Sequence, residues 1–170
     1  MPSGKNKVPM APLRAALEAA GLRGARTYIQ SGNVIVTTAQ KPAAVERLAH
    51  DLIREKFGGD ITVFSRSPDY LRNVLATCPF KKALAGARAD TARLFFTFLA
   101  TMPDPALLRA FLAPGYAPDQ IEIIGDMAHV LCATKYSDTK INNNFIERKL
   151  KLRATTRNYN TLANLVALTD

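Results

Sequence analysis

Apolar residues change their spacing several times along the chain, and each change marks an element. Between residues 9 and 20, Met10, Leu13 and Leu17 recur at helical intervals, with Pro9 at the start and Gly21 just past the end. That is the asymmetry of a short amphipathic helix. Two short strands are expected next, over residues 26–30 and 33–38. Ser31-Gly32 between them is a two-residue hairpin signal, weaker than Asn-Gly. Residues 42–57 carry the clearest helical stripe: Val45, Leu48, Ala49, Leu52, Ile53 and Phe57 share one face, and Gly58-Gly59 ends it. A strand over 61–66 and a short helix over 68–77, stopped by Cys78-Pro79, close the first half.

Residues 81–90 (KKALAGARAD) mix charge, alanine and glycine without a strand pattern or an apolar face, which marks a boundary. Beyond it, Leu94, Phe96 and Phe98 alternate with Phe95, Thr97 and Leu99 over residues 93–100. Two apolar faces predict a strand covered on both sides, or one at an interface. The phenylalanines read as core, because they lack the flanking Lys/Arg-Gly pattern of RNA-recognition strands. A helix over 103–113, a hairpin of strands 120–124 and 129–134 around Gly125-Asp126, a helix over 142–152, a strand over 154–157 and a closing helix over 160–168 follow, with Asn160 as its N-cap. This order is β-α-β-β-α-β plus a helix, the split βαβ or ferredoxin-like unit. The first half repeats it without the first strand. The expected fold is therefore α+β: two tandem ferredoxin-like halves, the first lacking its first strand. Residues 1–80 form the first half, 81–92 the linker and 93–170 the second half with its C-terminal helix.

Composition narrows the class. Hydrophobic residues make up 48% of the chain and charged residues 22%, as in ordinary globular domains. The sequence has no apolar run of the ~20 residues a membrane helix needs and no secretory leader pattern. Cys78 and Cys132 are too few and too scattered for a disulfide framework or a zinc site. A cytoplasmic bacterial protein with no membrane association, no metal and no cofactor is the expectation. The net charge is +9, and it is uneven. Residues 1–85 hold 13 basic and 6 acidic side chains, and residues 140–157 hold 6 basic and 1 acidic. A positive field of this kind recruits anions, nucleic acid among them.

Four stretches carry a resemblance: GKNKVPM (residues 4–10), RTYIQSGNV (26–34), NNNFIERKL (142–150) and ATTRNYNTL (154–162). In order and spacing they resemble the bacterial domain-of-unknown-function family 1697 (DUF 1697), over nearly the whole chain. The resemblance implies a tandem α+β fold of two ferredoxin-like halves; it implies no reaction and no catalytic residue. Family members typically begin with a strand and a basic glycine-rich loop ahead of the Gly-Lys-Asn. Here only Met-Pro-Ser precedes Gly4, so the missing strand is the same one. Its loss leaves ladder groups unpaired, and a chain extended upstream is expected to be more stable, or a strand to be borrowed from a partner copy.

No Walker loop, GxGxxG, HExxH, CxxC or GxSxG motif is present. His50 reads as a surface residue, His129 as structural and Cys132 as core. Three polar clusters remain. Lys5, Asn6 and Lys7 precede a helix whose free N–H groups attract anions. Arg26, Tyr28 and Gln30 share one strand face, and Ser31 and Asn33 belong to the turn, where hairpin chemistry alone accounts for much of their presence. The third cluster is the densest. Lys140, Asn142, Asn143 and Asn144 lead into a helix holding Arg148 and Lys149, and Arg157, Asn158 and Tyr159 follow on the next strand and loop. One N-cap needs one asparagine, and here three stand in a row. Arg157 offers a fork donor and Tyr159 a stacking ring, which suit a phosphate or a base.

The expectation is a binding module for an anionic ligand, nucleic acid or a phosphorylated small molecule, with the hairpin and the 140–160 cluster lining one pocket. The alternatives are an enzyme on a small anionic substrate using Arg157, Tyr159 and Lys140 for electrostatic stabilisation, and a protein that forms a homodimer through an exposed sheet edge.

Overall fold

The computed structural model describes residues 8–28, 32–84 and 90–169. Among them it is a mixed α+β fold with six α-helices and two antiparallel sheets. The chain divides into two compact units, residues 1–67 and 68–168.

In the first unit, α1 (Met10–Ala19) and α2 (Pro42–Phe57) flank a two-stranded sheet, β1 (Arg23–Tyr28) and β2 (Asn33–Thr37). The stripe read on α2 is the buried one: Val45, Ala49, Leu52 and Ile53 meet Leu13, Leu17, Leu22 and Ala25 in one core. Pro42 opens the helix and Gly58 closes it in the left-handed conformation at φ 66°, where the absence of a Cβ removes the steric cost. Tyr28 pairs with Asn33. β1 begins at Arg23, three residues earlier than its sequence pattern suggests, and the expected turn at Ser31 falls outside the described residues.

Residues 61–67 are not a strand. Their polar groups turn to α2 instead: the Ser65 N–H donates to Glu46 Oε1 at 2.8 Å, Arg66 donates to the same oxygen at 2.9 Å, and the Ile61 carbonyl meets His50 Nδ1 at 2.9 Å. Side chains on a neighbouring helix satisfy a segment whose composition suits a ladder. His50 is accordingly half-buried and tied down, not a plain surface residue.

The second unit opens with α3 (Pro68–Ala76) and continues β3 (Leu94–Leu99), α4 (Pro105–Leu112), β4 (Gln120–Ile124), β5 (Met127–Leu131), α5 (Asn143–Leu150), β6 (Ala154–Asn158) and α6 (Tyr159–Ala167). The strands form one antiparallel sheet in the order β4-β5-β3-β6. One face, with Leu99, Ala128, Val130, Cys132 and Ala154, packs on Phe111 of α4 and on Ile146 and Leu150 of α5. On the other, Leu94, Phe96 and Met127 are also buried, and Tyr159 at the start of α6 lies 6.4 Å from the Phe96 ring. Both apolar faces of β3 are covered, as its two-sided pattern requires. Each large side chain so buried contributes ~1.5–3 kcal/mol.

The sequence places the break at 81–92, with α3 on the first side. The compact units divide at Ser67 and Pro68 instead, because α3 packs on α6 and Tyr70 donates to Asp126 in the β4–β5 turn. β5 begins at Met127, two residues ahead of the expected strand, which sets His129 mid-strand.

Candidate functional site

The third polar cluster lies wholly in the second unit, at the junction of α5, β6 and α6. Its three asparagines divide their work. Asn142 caps α5, its side chain accepting from the Phe145 N–H at 3.0 Å. Asn143 braces the helix to β6: its Nδ2 donates to the Ala154 carbonyl at 3.2 Å, and its Oδ1 accepts from Thr156 Oγ1 at 3.0 Å. Thr156 in turn shares a 2.8 Å hydroxyl contact with Thr97 on β3, which is fully buried. Asn144 is exposed.

Glu147 completes the brace by accepting the Ala154 N–H at 2.8 Å. At the end of α5 the Lys151 and Leu152 N–H groups both return to the Glu147 carbonyl. Lys151 is held at φ 54°, the one non-glycine with positive φ among the described residues.

Around this helix end lies a shallow hollow lined by Asn144, Glu147, Arg148, Lys151, Leu152 and Arg153. Arg148, Lys151 and Arg153 are exposed, and among the described residues none of the three forms an ion pair. The only carboxylate lining the hollow, on Glu147, already accepts from the β6 backbone. Arg148 and Lys149 lie 5.5 and 5.7 Å from the Phe145 ring centroid, a cation–π distance. The arrangement supplies several exposed cations around one helix end, the electrostatics of an anion-recruiting surface.

The remaining predicted residues fall elsewhere. Lys140 is exposed ahead of α5. Arg157 is half-buried on β6. Its Nη1 donates to Thr155 Oγ1 at 2.8 Å and to the Thr156 carbonyl at 2.9 Å, and burial lowers its pKa, although a guanidinium stays charged. Asn158, not Asn160, caps α6, accepting from the Thr161 N–H at 2.8 Å. In the first unit Arg26 is exposed, Tyr28 is half-buried, and Asn33 is buried with its amide 3.4 Å from the Tyr28 carbonyl. Lys5, Lys7, Gln30 and Ser31 lie outside the described residues, as does the expected missing strand's neighbourhood at residues 1–7. Lys151 and Arg153 were not singled out by sequence. Their signal was the dense run of basic residues over 140–157, with no feature marking which of its members meet at one hollow.

Burial works against the charged forms of His129 and of both cysteines. His129 is 2% exposed, and burial lowers its pKa to about 4. Burial pushes the Cys132 thiol up to about 11 and raises Cys78 as well, opposite to an activated nucleophile. Among the described residues no group of His, Cys, Asp and Glu could hold a metal ion, and no helix is long and apolar enough to cross a membrane.

A family model described as Protein of unknown function (DUF1697) matches residues 2–128. The chain belongs to this family. A solved structure of a conserved bacterial protein from Streptococcus pneumoniae is 24% identical, with a TM-score of 0.71, covering 99% of this chain and 92% of the other. This DUF1697 chain therefore shares the fold of that protein. No match is found among the curated proteins.

Proposed function

We propose that this DUF1697 protein is a binding module for an anionic ligand, and that its ligand meets the second unit at the end of α5. One observation carries the reading. Three exposed cations, Arg148, Lys151 and Arg153, share a hollow whose single carboxylate, Glu147, already accepts from the backbone N–H of Ala154. Basic residues in a last helical turn also complement the helix dipole, which suffices for Arg148 and Lys149. It does not explain Lys151. A left-handed C-terminal position favours glycine, and a side chain there costs about 1 kcal/mol. A lysine at this position keeps a cation at the hollow against local backbone preference. Lys140 and Asn144 extend the polar surface, and Asn143 serves as its brace.

The strand order of the second unit supports reading it as a split βαβ, ferredoxin-like module. The enzyme reading gains no comparable observation, because Arg157 Nη1 serves its own strand. Self-association has one feature in its favour: β4 is a sheet edge, with Ile124 45% exposed.

Titration of the isotope-labelled protein with tripolyphosphate at low ionic strength tests the binding reading. Saturable amide shifts at Asn144 and residues 147–153 are expected, reduced by added salt and lost when Arg148, Lys151 and Arg153 are replaced together by serine. Shifts confined to other parts of the chain, or none, remove the assignment.

A further inference from the structure

We infer that the anion taken by this surface is the phosphodiester backbone of a nucleic acid, bound without regard to base sequence. The inference rests on the anion-binding reading above and narrows it by shape and donor type.

A site for a small phosphorylated molecule encloses most of its ligand and presents fixed donors to it. Here Asn144, Arg148, Lys151 and Arg153 are all exposed, so the hollow is open and leaves much of any ligand facing solvent. Compact phosphate sites also favour helix N-termini, where backbone N–H groups converge. This hollow lies at the other end of α5, and the N–H groups of Lys151 and Leu152 are already bonded to Glu147. The carbonyl end of a helix disfavours a tightly seated dianion. What remains is a set of long, exposed cationic side chains around the helix end. Arg148 and Lys151, three residues apart, are separated by about 4.5 Å of helix rise, and Arg153 follows beyond the turn. Side chains of that length can each meet a separate phosphate of an extended polyanion.

The nearby ring is not free to stack a base. Phe145 lies beneath Arg148 and Lys149 at 5.5 and 5.7 Å, so its nearby face serves cations rather than a stacked base. Among the residues lining the hollow only Asn144 and Glu147 carry side chains that could accept from a base edge, and one Glu147 oxygen is already taken by the Ala154 N–H.

Fluorescence anisotropy of labelled duplex DNA, duplex RNA and single strands, over a range of salt, tests this. Three phosphate contacts predict a log K against log salt slope of about −2.7 on B-DNA and about −2 on single strands, so a fourfold rise in salt weakens duplex binding about 40-fold. Each of Arg148→Ser, Lys151→Ser and Arg153→Ser should reduce the duplex slope by about 0.9. Scrambled duplexes should bind alike, and circular dichroism should confirm that the variants remain folded. Duplex binding unchanged in the folded triple variant overturns the inference. So does a strong preference for one base sequence. Absence of nucleic-acid binding, while tripolyphosphate still shifts the α5 amides, overturns the nucleic-acid assignment and leaves the anion surface standing. If neither ligand binds, both readings fall.

Discussion

At the residue scale, neighbours with the same side chain do different work. Asn143 makes two bonds that join α5 to β6, whereas Asn144 points to solvent. Asn143→Ala should cost about 1–3 kcal/mol, because it strips partners from half-buried groups. Asn144→Ala should stay within about 0.5 kcal/mol. Urea unfolding of the two variants distinguishes them, and equal losses would refute the brace. His129 gives a second residue-scale prediction. Its Nδ1 has no hydrogen-bond partner, its ring stands edge-on to Phe96 at 5.4 Å, and burial lowers its pKa from 6.5 to about 4. The folded state therefore prefers the neutral imidazole. Its effect on stability is constant above pH 6.5, and about 3 kcal/mol is lost as the pH falls from 6.5 towards 4. His129→Leu should flatten that limb without loss at neutral pH; parallel pH profiles for the two proteins would refute the assignment. The sequence marked both residues as notable, but only the paired strands reveal that one is a strut and the other an orphaned ring.

At the element scale, most of the chain was legible in its periodicity. α2 and β4 match their expected bounds, and β3 shows the two-sided burial its alternating apolar residues imply. The misread strand has its decisive partners distant in sequence. Residues 61–67 have strand composition, yet Glu46 and His50 supply their hydrogen-bond partners. The α6 cap is Asn158 rather than Asn160 because the helix begins at Tyr159. Asn158→Ala should therefore cost about 1 kcal/mol, while Asn160, whose side chain meets only Thr91 on an exposed surface, should cost much less. Thermal unfolding of the pair checks the cap. The end of α5 offers a test in which stability and binding separate. Lys151→Gly relieves the left-handed side chain by about 1 kcal/mol, offset by about 0.5–1 kcal/mol of backbone entropy. Stability should be unchanged or slightly higher, while tripolyphosphate affinity falls. A large stability loss would show that Lys151 is structural.

At the scale of the whole molecule, the division into units is the feature the sequence hid best. The low-complexity stretch after Lys81 looks like a linker, but α3 ahead of it belongs with the second sheet through α6 and Asp126. A fragment of residues 68–170 should melt cooperatively. One of residues 81–170 should melt at lower temperature, because it lacks α3, with its buried Val74, and the buried Cys78 that follows. Identical melting of the two fragments would return the boundary to 81–92. The same arrangement bears on how the chain emerges during synthesis. The first unit is complete once residue 67 is free, but α3 must wait for α6, whose last turn lies about ninety residues downstream. At ordinary translation speeds that interval is on the order of ten seconds. Throughout it, the apolar residues of that nine-residue segment lack their α6 partner, so a chaperone that holds apolar segments has an extended opportunity just past Pro68.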